Sequence, residues 1–380
     1  TGGHVVLRED SITSVSAAGL IIPYGGTVDG LKYHYNGVEL SLPGLMDLDA
    51  MGRIEIAADT FEARAGSLLD LSGGGELAGA GFVAGRGGSV DILRTPIANA
   101  NPAFGFSDAG NQVYAILPGY ASAYAPVVQE AGWGNPATGQ QVTLGAGIPG
   151  LAAGTYTLLP STYARLPGAY RVEIGGGLPR EIGTVAAGNG SYVADGYLGI
   201  ANTPVRAVLP NQIVVTPGPA VRAHSQYNES SYSAFALATA ARFGTTRARL
   251  PTDGKQLVLS FEEAGDVIDF NGTALFGGGE GSYAGAMLVR SLQPLEIKPS
   301  TAAATPGMTA LDAEDLSRFN AGTLFIGAEF WESRGFLSLD KSYGNESVAV
   351  RAGSVLEAGQ IVIAGQHVLI EDSAVLDTTR

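Results

Sequence analysis

The segments SVAVRAGSVLE (347–357) and HVLIEDSAVLD (367–377) align without a gap at an offset of 20 residues. The matched positions are Val348 with Val368, Val350 with Ile370, Val355 with Val375, Leu356 with Leu376, and Glu357 with Asp377. Apolar and acidic residues therefore recur at fixed places. The alignment indicates a repeated structural unit of about 20 residues.

The same unit occurs far earlier in the chain. GRIEIAADTFEARAGSLLD (52–70) aligns without a gap to GQIVIAGQHVLIEDSAVLD (359–377). The matches are Gly52 with Gly359, Ile54 with Ile361, Ile56 with Ile363, and Asp70 with Asp377. A gapless match across 307 positions argues against the alternative, a β-sandwich with similar strands by chance.

Within the unit, apolar residues alternate at i and i+2, as at Ile54 and Ile56 or at Val368 and Ile370. This period is typical of strands that turn alternate side chains toward one core. One turn of 20 residues buries too little apolar surface to be stable alone, so neighbouring turns must stack on it. The sequence predicts an all-β fold: a right-handed parallel β-helix with rungs of about 20 residues.

Composition sets further bounds. The chain has 55 glycines among 380 residues, 45% hydrophobic residues, only 15% charged residues and no cysteine. The absence of cysteine excludes disulfides, thiolate metal ligands and a cysteine nucleophile. A net charge of -14 disfavours nucleic acid and anionic membranes as partners. No apolar run is long enough to span a bilayer, and the start at Thr1 predicts a mature product or an excised fragment.

Four segments are predicted: β-helix rungs in 1–94, a loop- and β-rich excursion in 95–225, a helix packed on the coil in 226–250, and further rungs in 251–380. In the excursion, Thr155–Leu159 and Ala169–Ile174 are expected to pair antiparallel.

The helix is expected over 228–244, between an Asn228 or Ser230 cap and Gly244, with an apolar stripe at Tyr232, Phe235, Ala236, Ala240 and Phe243. A shorter helix is expected from Asp312 to Phe319. The period-two alternation in residues 256–272 predicts further strands.

The glycine-rich stretch SGGGELAGAGFVAGRGGSVDI (72–92) has the composition of a phosphate-binding loop. Such a loop needs a helix after its glycines, whereas SVDIL (89–93) predicts a strand. We therefore expect the glycines to let a loop leave and rejoin the coil, with the ring of Phe82 packed back onto a rung.

No catalytic or metal site and no cofactor are predicted. His4, His34, His224 and His367 lie far apart and form no pair with metal-ligand spacing. Glu262, Glu263, Asp266 and Asp269 are expected to form a solvated corner rather than a catalytic pair. Calcium also suits clustered carboxylates, but no calcium-binding pattern is present.

Four aromatic residues of the excursion are the candidate ligand-binding residues. Tyr114, Tyr120, Tyr124 and Trp133 lie within twenty residues, and exposed aromatic faces often bind carbohydrate or protein. The alternative is that these rings fill the core of the excursion.

Residues 66–93, 145–174 and 227–244, together with the rungs after Gly322, resemble the C-terminal part of filamentous-haemagglutinin-like exoproteins, the secreted partners of two-partner secretion systems in Gram-negative bacteria. The resemblance implies an extracellular β-helical stalk that acts in adhesion, aggregation or biofilm formation. It also implies export through an outer-membrane transporter. The family's secretion motif, Asn-Pro-Asn, is not matched by NANPAFG (99–105).

The leading prediction is therefore a non-enzymatic adhesin or fibre, secreted or on the outer cell surface, which binds glycan, matrix or another surface protein. One alternative is an extracellular polysaccharide-degrading enzyme on the same coil. Another is a structural filament subunit that self-associates.

Overall fold

The structure is a computed structural model that describes residues 2–18, 25–28, 30–40, 52–85, 90–327, 329–333, 336–340 and 347–379. For residue 2 and the two strands within 329–340, only the backbone is described. Strands contain 40% of the residues and helices 10%, and the sheets are mostly parallel, so the predicted all-β class is confirmed.

The strands are β1 Gly2–Leu7, β2 Ile12–Ser14, β3 Gly25–Val28, β4 Lys32–Tyr35, β5 Val38–Glu39, β6 Arg53–Ala63, β7 Leu68–Asp70, β8 Ala78–Phe82, β9 Gln112–Ile116, β10 Gln140–Leu144, β11 Gly154–Thr157, β12 Tyr170–Ile174, β13 Val185–Ala186, β14 Tyr192–Ile200, β15 Asn211–Pro217, β16 Tyr227–Ser231, β17 Gln256–Phe261, β18 Gly265–Asp266, β19 Ile268–Phe270, β20 Thr273–Leu275, β21 Ala286–Ser291, β22 Leu295–Lys298, β23 Thr309–Asp312, β24 Thr323–Ile326, β25 Glu329–Ser333, β26 Phe336–Asp340, β27 Ser347–Val350, β28 Val355–Glu357, β29 Gln360–Ile363, β30 His367–Ile370 and β31 Val375–Asp377. The helices are α1 Ile97–Ala100, a 3-10 helix Ser161–Arg165, α2 Gly218–His224, α3 Tyr232–Phe243 and α4 Ala313–Arg318. None of the helices in the described ranges is long and apolar enough to cross a membrane.

The chain divides into two compact units. Unit 1 contains Thr1–Ile22, Leu42–Glu76 and Ser233–Arg380, and unit 2 contains Pro23–Ser41 and Leu77–Tyr232. Unit 2 thus includes all of the predicted excursion 95–225 and also the segments that flank it. The helix α3 begins at the boundary between the two units.

Unit 1 is built from parallel sheets. The first sheet has the order β1-β6-β17-β21-β24-β29, and β19 also pairs with β6. The second has the order β18-β23-β22-β27-β30, the third the order β2-β7-β20, and β28 pairs with β31. Strands β25 and β26 form an antiparallel pair.

The repeat found in the sequence corresponds to stacked positions in these sheets. Val348 lies opposite Val368 in the pair β27 and β30, and Leu356 lies opposite Leu376 in the pair β28 and β31. The longer alignment also holds, because Ile54 and Ile361 occupy one column of the first sheet. The positions of that column are Ile54, Leu257, Met287, Leu324 and Ile361.

Among the strand pairs that the structure describes, the predicted rung length of about 20 residues is found only between the last two turns, in the pairs β27 with β30 and β28 with β31. Gly2 lies opposite Ala58, Ala286 opposite Thr323, and Gln256 opposite Arg53. Strand β23 also inserts between β18 and β22, although it follows β22 in the chain. The sheets therefore do not form a clear β-helix solenoid, because segments of very different length connect the stacked strands.

Glycines precede several strands of the first sheet, where the backbones of successive turns approach closely. A Cβ atom at Gly322 would lie 2.9 Å from the carbonyl oxygen of Gly285, and one at Gly359 would lie 2.7 Å from that of Gly322. Both distances are shorter than real Cβ contacts. Glycine at these places is thus a requirement of stacking.

The core of unit 1 is one contiguous apolar cluster inside the sheets. It includes Phe61, Leu259, Val289, Ile297 and Phe270. The ring of Phe270 stacks on that of Phe319 with centroids 3.7 Å apart, so the residue that directly follows α4 packs into the same core. The shorter helix predicted from Asp312 to Phe319 is confirmed as α4, and the predicted strands in 256–272 are confirmed as β17, β18 and β19.

Unit 2 is mainly antiparallel. One sheet has the order β11-β10-β14-β15-β12-β9, with β13 paired to β14. The other has the order β16-β8-β3-β4-β5, in which only β3 and β8 are parallel. Apolar side chains such as Ile116, Val172 and Val215 form the core on one face of the first sheet.

Two expectations for unit 2 are wrong. The predicted partners Thr155–Leu159 and Ala169–Ile174 do not pair with each other, because β11 pairs with β10 while β12 lies between β15 and β9. The long helix does not begin at residue 228. Residues 227–231 form β16, which pairs antiparallel with β8. The helix α3 begins at Tyr232, and Phe243 of its predicted stripe is exposed.

A buried ion pair fixes the segment of unit 1 that precedes β17. The carboxylate of Asp253 accepts two hydrogen bonds from the guanidinium of Arg247, at 2.8 and 2.9 Å. It also accepts bonds from the backbone N–H groups of Leu250 and Tyr283. Burial alone would raise the pKa of Asp253, but these donors outweigh burial and lower that pKa.

The lowered pKa predicts a pH-dependent contribution to stability. A carboxyl group whose folded pKa lies below its unfolded value stabilises the fold above the unfolded pKa, and this stability is lost as pH falls through the folded pKa. We expect Asp253→Asn to lower the melting temperature clearly at pH 7 and the difference from the unaltered chain to narrow below about pH 4. Calorimetric melting at several pH values measures this; a difference that stays constant would contradict it.

Candidate functional site in unit 2

Polar, charged and aromatic side chains of unit 2 surround a cavity of about 420 Å³. Strands β3 and β8 line one part of it, and the segments 91–94, 129–130 and 162–165 line the rest. The polar and charged residues at its wall are Thr27, His34, Asp91, Arg94, Gln129, Glu130, Thr162 and Arg165, and Phe82 adds an aromatic ring. We call this cavity with its lining residues the cleft.

Glycines in β8 let the sheet at the cleft pack tightly. A Cβ atom at Gly79 would lie 2.5 Å from the hydroxyl of Tyr33, and one at Gly81 would lie 2.5 Å from the carbonyl oxygen of Thr27. The AGAGF segment is therefore a strand in a close-packed sheet, and its glycines bring the neighbouring backbone near. The ring of Phe82 packs edge-on against Tyr227, at 6.0 Å between centroids, so its predicted place on a rung of the coil is wrong.

Glu130 is positioned by the turn between β4 and β5. Its carboxylate accepts hydrogen bonds from the backbone N–H groups of Asn36 at 2.8 Å and Gly37 at 2.9 Å. Both turn residues have positive φ, at 49° and 78°, which suits asparagine and glycine. Each carboxylate oxygen retains a further lone pair that can accept a ligand hydroxyl.

Asp91 is positioned by a second set of donors. Its Oδ1 accepts hydrogen bonds from the Leu93 backbone N–H at 3.0 Å and from the Tyr227 hydroxyl at 2.6 Å. Its Oδ2 lies 3.6 Å from the Nε of Arg94. Burial and the neighbouring Asp91 charge raise the pKa of Tyr227, so the phenol remains a hydrogen-bond donor at neutral pH.

Arg165 brings a positive charge to the wall of the cleft. Its side chain is buried, and its guanidinium lies 4.7 Å from the ring centroid of Tyr227, within cation-π range. The 3-10 helix that carries Arg165 also carries Thr162, whose buried hydroxyl has no hydrogen-bond partner among the described atoms.

A buried ion pair, formed by Arg171 and Glu173, anchors the loop that carries Asp91 and Arg94. Arg171 donates from Nε to the Ile92 carbonyl oxygen at 2.7 Å and from Nη2 to Glu173 at 2.8 Å. The Ser225 hydroxyl accepts from the Ile92 backbone N–H and donates to the Val90 carbonyl oxygen.

The predicted strand SVDIL (89–93) is therefore wrong over its described residues 90–93, which form a bend and a turn rather than a strand. Their backbone groups bond to side chains of Arg171 and Ser225 rather than to a neighbouring strand. This is the physical reason why an alternating apolar pattern did not become a strand.

The four aromatic residues predicted to bind a ligand do not form one patch. Tyr114 is buried in the apolar core against the sheet of unit 2 that contains β9 and β12, so its ring is not available at the surface. Burial also raises the pKa of Tyr114. The Tyr120 hydroxyl donates to the carbonyl oxygen of Tyr124, and the exposed Tyr124 hydroxyl accepts from Asn202. Trp133 is partly exposed. For Tyr120, Tyr124 and Trp133, ligand binding stays a prediction.

The structure also shows the surroundings of the predicted acidic corner and of the histidines. Asp266 forms an ion pair with the buried Lys298 at 2.9 Å, and Glu262 and Glu263 are exposed. Asp269 accepts a hydrogen bond from Asn271. Of the four histidines, only His34 lines the cleft. Over the described part of the chain, no three His, Asp or Glu side chains come together as metal ligands.

Sequence reasoning did not find the residues of the cleft. Asp91, Glu130 and Arg165 come from segments far apart in the chain, and each looks like an isolated surface charge. The sequence contains one weak indication, at Arg165, which is the one charged residue in the segment 160–167 that begins and ends with proline. Comparison with known proteins adds no further assignment: no protein-family model, no curated protein and no solved structure matches this chain.

Proposed function

We propose that this chain is a segment of a secreted, cell-surface adhesin, in which unit 1 is the stem and unit 2 binds the ligand. In this proposal unit 1 is a right-handed parallel β-helix whose turns differ in length. The aligned column from Ile54 to Ile361 supports a coil, and the exoprotein resemblance supports secretion through an outer-membrane transporter.

The cleft is the observation that carries the binding role. It lies within unit 2, most of which is inserted in the chain between β7 and β17 of the stem. Insertion of a compact unit between stacked strands leaves the strand pairing of a stem intact. An inserted unit with a polar cavity is thus suited to display a binding site.

The chemistry of the cleft favours a neutral oligosaccharide as ligand. Asp91 and Glu130 offer fixed acceptors for sugar hydroxyl groups, and Arg94 offers donors. Phe82 offers an apolar face for the C–H groups of a sugar ring. Positive and negative groups are balanced at the wall, and the net charge of -14 disfavours a polyanionic ligand.

A lytic role fits the same cleft less well. Hydrolysis of a glycosidic bond needs one carboxyl group that donates a proton and a second that acts as base or nucleophile. Asp91 and Glu130 both accept hydrogen bonds from backbone N–H groups. This arrangement places both carboxylates as acceptors, which favours binding over cleavage.

Isosteric removal of the carboxylates tests the proposal. We expect Asp91→Asn and Glu130→Gln each to weaken oligosaccharide binding roughly ten- to hundredfold, because each loses a charged acceptor. The measurement is a glycan array of neutral oligosaccharides, followed by calorimetry with the best binder. Asp108→Asn, an exposed carboxylate of the same unit that does not line the cleft, is the matched control.

Three outcomes count against the proposal. If the unaltered chain binds no neutral oligosaccharide, the ligand class is wrong. If both variants bind as well as the Asp108→Asn control, the cleft is not the binding site. If new reducing ends appear and Glu130→Gln abolishes them, the protein is an enzyme.

A further inference from the structure

The sheet of unit 2 that contains β10, β11 and β14 has a second face, opposite to its apolar core. Val142, Leu144 and Leu198 pack in that core, so the residues that alternate with them lie on the other face. The strand registers place two rows of residues across this face: Thr155, Thr143 and Tyr197 in one, and Thr157, Gln141, Gly199 and Arg206 in the other. We call the second of these the polar row. It crosses three strand spacings, about 14 Å.

Gly199 forms the floor of a notch in the polar row. A Cβ atom at Gly199 would lie 3.7 Å from Cγ of Arg206, so the arginine side chain runs beside the glycine. Gln141 lies opposite Gly199 on the other side, and Tyr197 precedes it by two residues on the same face. Diagonal neighbours such as Tyr197 and Arg206 lie about 7–8 Å apart, within reach of long side chains. An amide, a guanidinium and an aromatic ring therefore border the notch.

A second tyrosine lies on the other side of the polar row. The Thr157 hydroxyl donates to the Ser122 carbonyl oxygen at 2.9 Å, and the Tyr124 hydroxyl accepts from Asn202 at 3.2 Å. Because Thr157 is on β11 and Asn202 follows β14, the segment from Ser122 to Tyr124 spans the intervening β10. Tyr124 is 51% exposed and Tyr197 is 44% exposed. The polar row thus runs between two exposed tyrosine rings.

The polar row has unused hydrogen-bonding capacity and one unopposed charge. Gln141 donates from Nε2 to the Thr157 hydroxyl at 3.4 Å, and its Oε1 has no partner among the described atoms, so it can accept from a ligand hydroxyl. Arg206 is exposed, and its guanidinium forms no ion pair or hydrogen bond in the part of the chain that the structure describes. The acidic residue of β14, Asp195, is held elsewhere by the backbone N–H of Gly183, at 3.1 Å.

We propose that the polar row binds an oligosaccharide that carries a carboxylate, with the carboxylate on Arg206 and a sugar ring against Tyr197. The guanidinium has the donor geometry that a carboxylate needs, and the tyrosine faces suit the C–H groups of sugar rings. Arg206 supplies one positive charge and so matches one carboxylate. None of these residues lines the cleft. The site extends the proposed adhesin role and can fail without the cleft failing.

Methyl esters of acidic oligosaccharides test the role of the charge. The probes are an array of oligosaccharides that carry glucuronate, galacturonate or sialate, each beside its methyl ester, followed by calorimetry with the tightest binder. We expect the acid to bind at least about tenfold more tightly than its ester, because the ester loses a hydrogen bond to a charged group. Equal binding of every acid and its ester, or no binding of either, overturns the proposal.

Two substitutions assign the roles of the side chains. Arg206→Gln should weaken binding of the acid about tenfold or more and leave binding of the ester unchanged, so that the two become equal. Tyr197→Ala should weaken binding of acid and ester alike, roughly three- to tenfold, whereas Tyr197→Phe keeps the ring and should bind like the unaltered chain. Circular dichroism confirms that each variant is folded.

Arg180→Gln is the matched control for net charge, because Arg180 is an exposed arginine of unit 2 that pairs with Asp108. If Arg206→Gln binds the acid as tightly as Arg180→Gln does, Arg206 does not hold the carboxylate and the proposal is overturned.

A further comparison distinguishes the polar row from the cleft. We expect Arg206→Gln to bind a neutral oligosaccharide as the unaltered chain does. If Glu130→Gln loses the acid while Arg206→Gln keeps it, the acid binds in the cleft and the polar row is not a site. If Tyr197→Ala instead abolishes a concentration-dependent dimer in sedimentation, the face is an interface between two copies of this chain, which also overturns the proposal.

Discussion

Glu173→Ala is expected to lower the free energy of unfolding of unit 2 by about 3–5 kcal/mol. The Glu173 carboxylate is fully buried and accepts hydrogen bonds from Arg171 at 2.8 Å and from the Ile97 backbone N–H at 3.0 Å. Ser107 and Asn111 also donate to it. Its removal leaves four donors without their acceptor.

The buried Arg171 makes the loss large. Arg171 is 0% exposed, and burial lowers its pKa while Glu173 opposes that effect. Its Nη1 already has no hydrogen-bond partner in the described structure. Without Glu173 the guanidinium would be an uncompensated buried charge, which is far more costly than a lost surface pair.

Urea unfolding measures this effect. Trp133 lies in unit 2, so its fluorescence in a Trp331→Phe background reports on that unit. The matched control is Asp108→Ala, which removes the exposed ion pair with Arg180 and should cost no more than about 1 kcal/mol. Equal losses for the two variants would show that the Arg171–Glu173 pair does not hold unit 2 together.

This pair also shows where sequence reasoning stops. In YRVEI (170–174) the charges alternate with apolar residues, a pattern that normally turns charged side chains to solvent. Here both faces of β12 are covered, and the charged face is buried against the loop 90–95. The backbone carbonyl groups that Arg171 binds, those of Ile92 and Thr95, are 79 and 76 residues away in the chain, so no local pattern reveals them.

The stacked turns of unit 1, by contrast, could be predicted from the sequence, because their pattern repeats along the chain. Each turn repeats the environment of its neighbour, so the same residue types recur at the same places and the chain can be aligned with itself. The alignment matches Val348 with Val368, which lie opposite each other, and Ile54 with Ile361, which occupy one column of the first sheet of unit 1. The lengths of the connections were not predictable, because inserted segments need not follow the repeat.

Strand assignments failed where the partner of a segment decided its conformation. Residues 228–231 have the polar composition of a helix cap, yet they pair with the glycine-rich strand β8. Residues 90–93 alternate like a strand, yet side chains of Arg171 and Ser225 take their backbone hydrogen bonds. Asp91 of the second segment and Phe82 of β8 line the cleft together with Glu130, which the turn at Asn36 positions. The cleft could therefore not be predicted without these long-range contacts.

Phe270→Ala is expected to lower the free energy of unfolding of unit 1 by about 3–5 kcal/mol. Phe270 is fully buried at the end of β19, opposite Ala63, and its ring stacks on Phe319 at an angle of 18° between the planes. Its backbone N–H donates to Asp315, and its carbonyl oxygen accepts from Arg318. These bonds hold α4 against β19. The cavity that replaces the ring in Phe270→Ala therefore cannot collapse freely, and we expect the full loss of unfolding free energy to be measured.

Leu275→Ala is the matched control for Phe270→Ala, because Leu275 lies five residues further along the same turn but is exposed in β20. We expect Leu275→Ala to lower the free energy of unfolding by no more than about 0.5 kcal/mol. Phe270→Leu, which keeps most of the volume, should lie between the two, and it keeps the test informative if the alanine variant does not fold. Guanidinium unfolding followed by circular dichroism measures all three. If Phe270→Ala costs no more than Leu275→Ala, the stack of Phe270 on Phe319 does not close the core of unit 1.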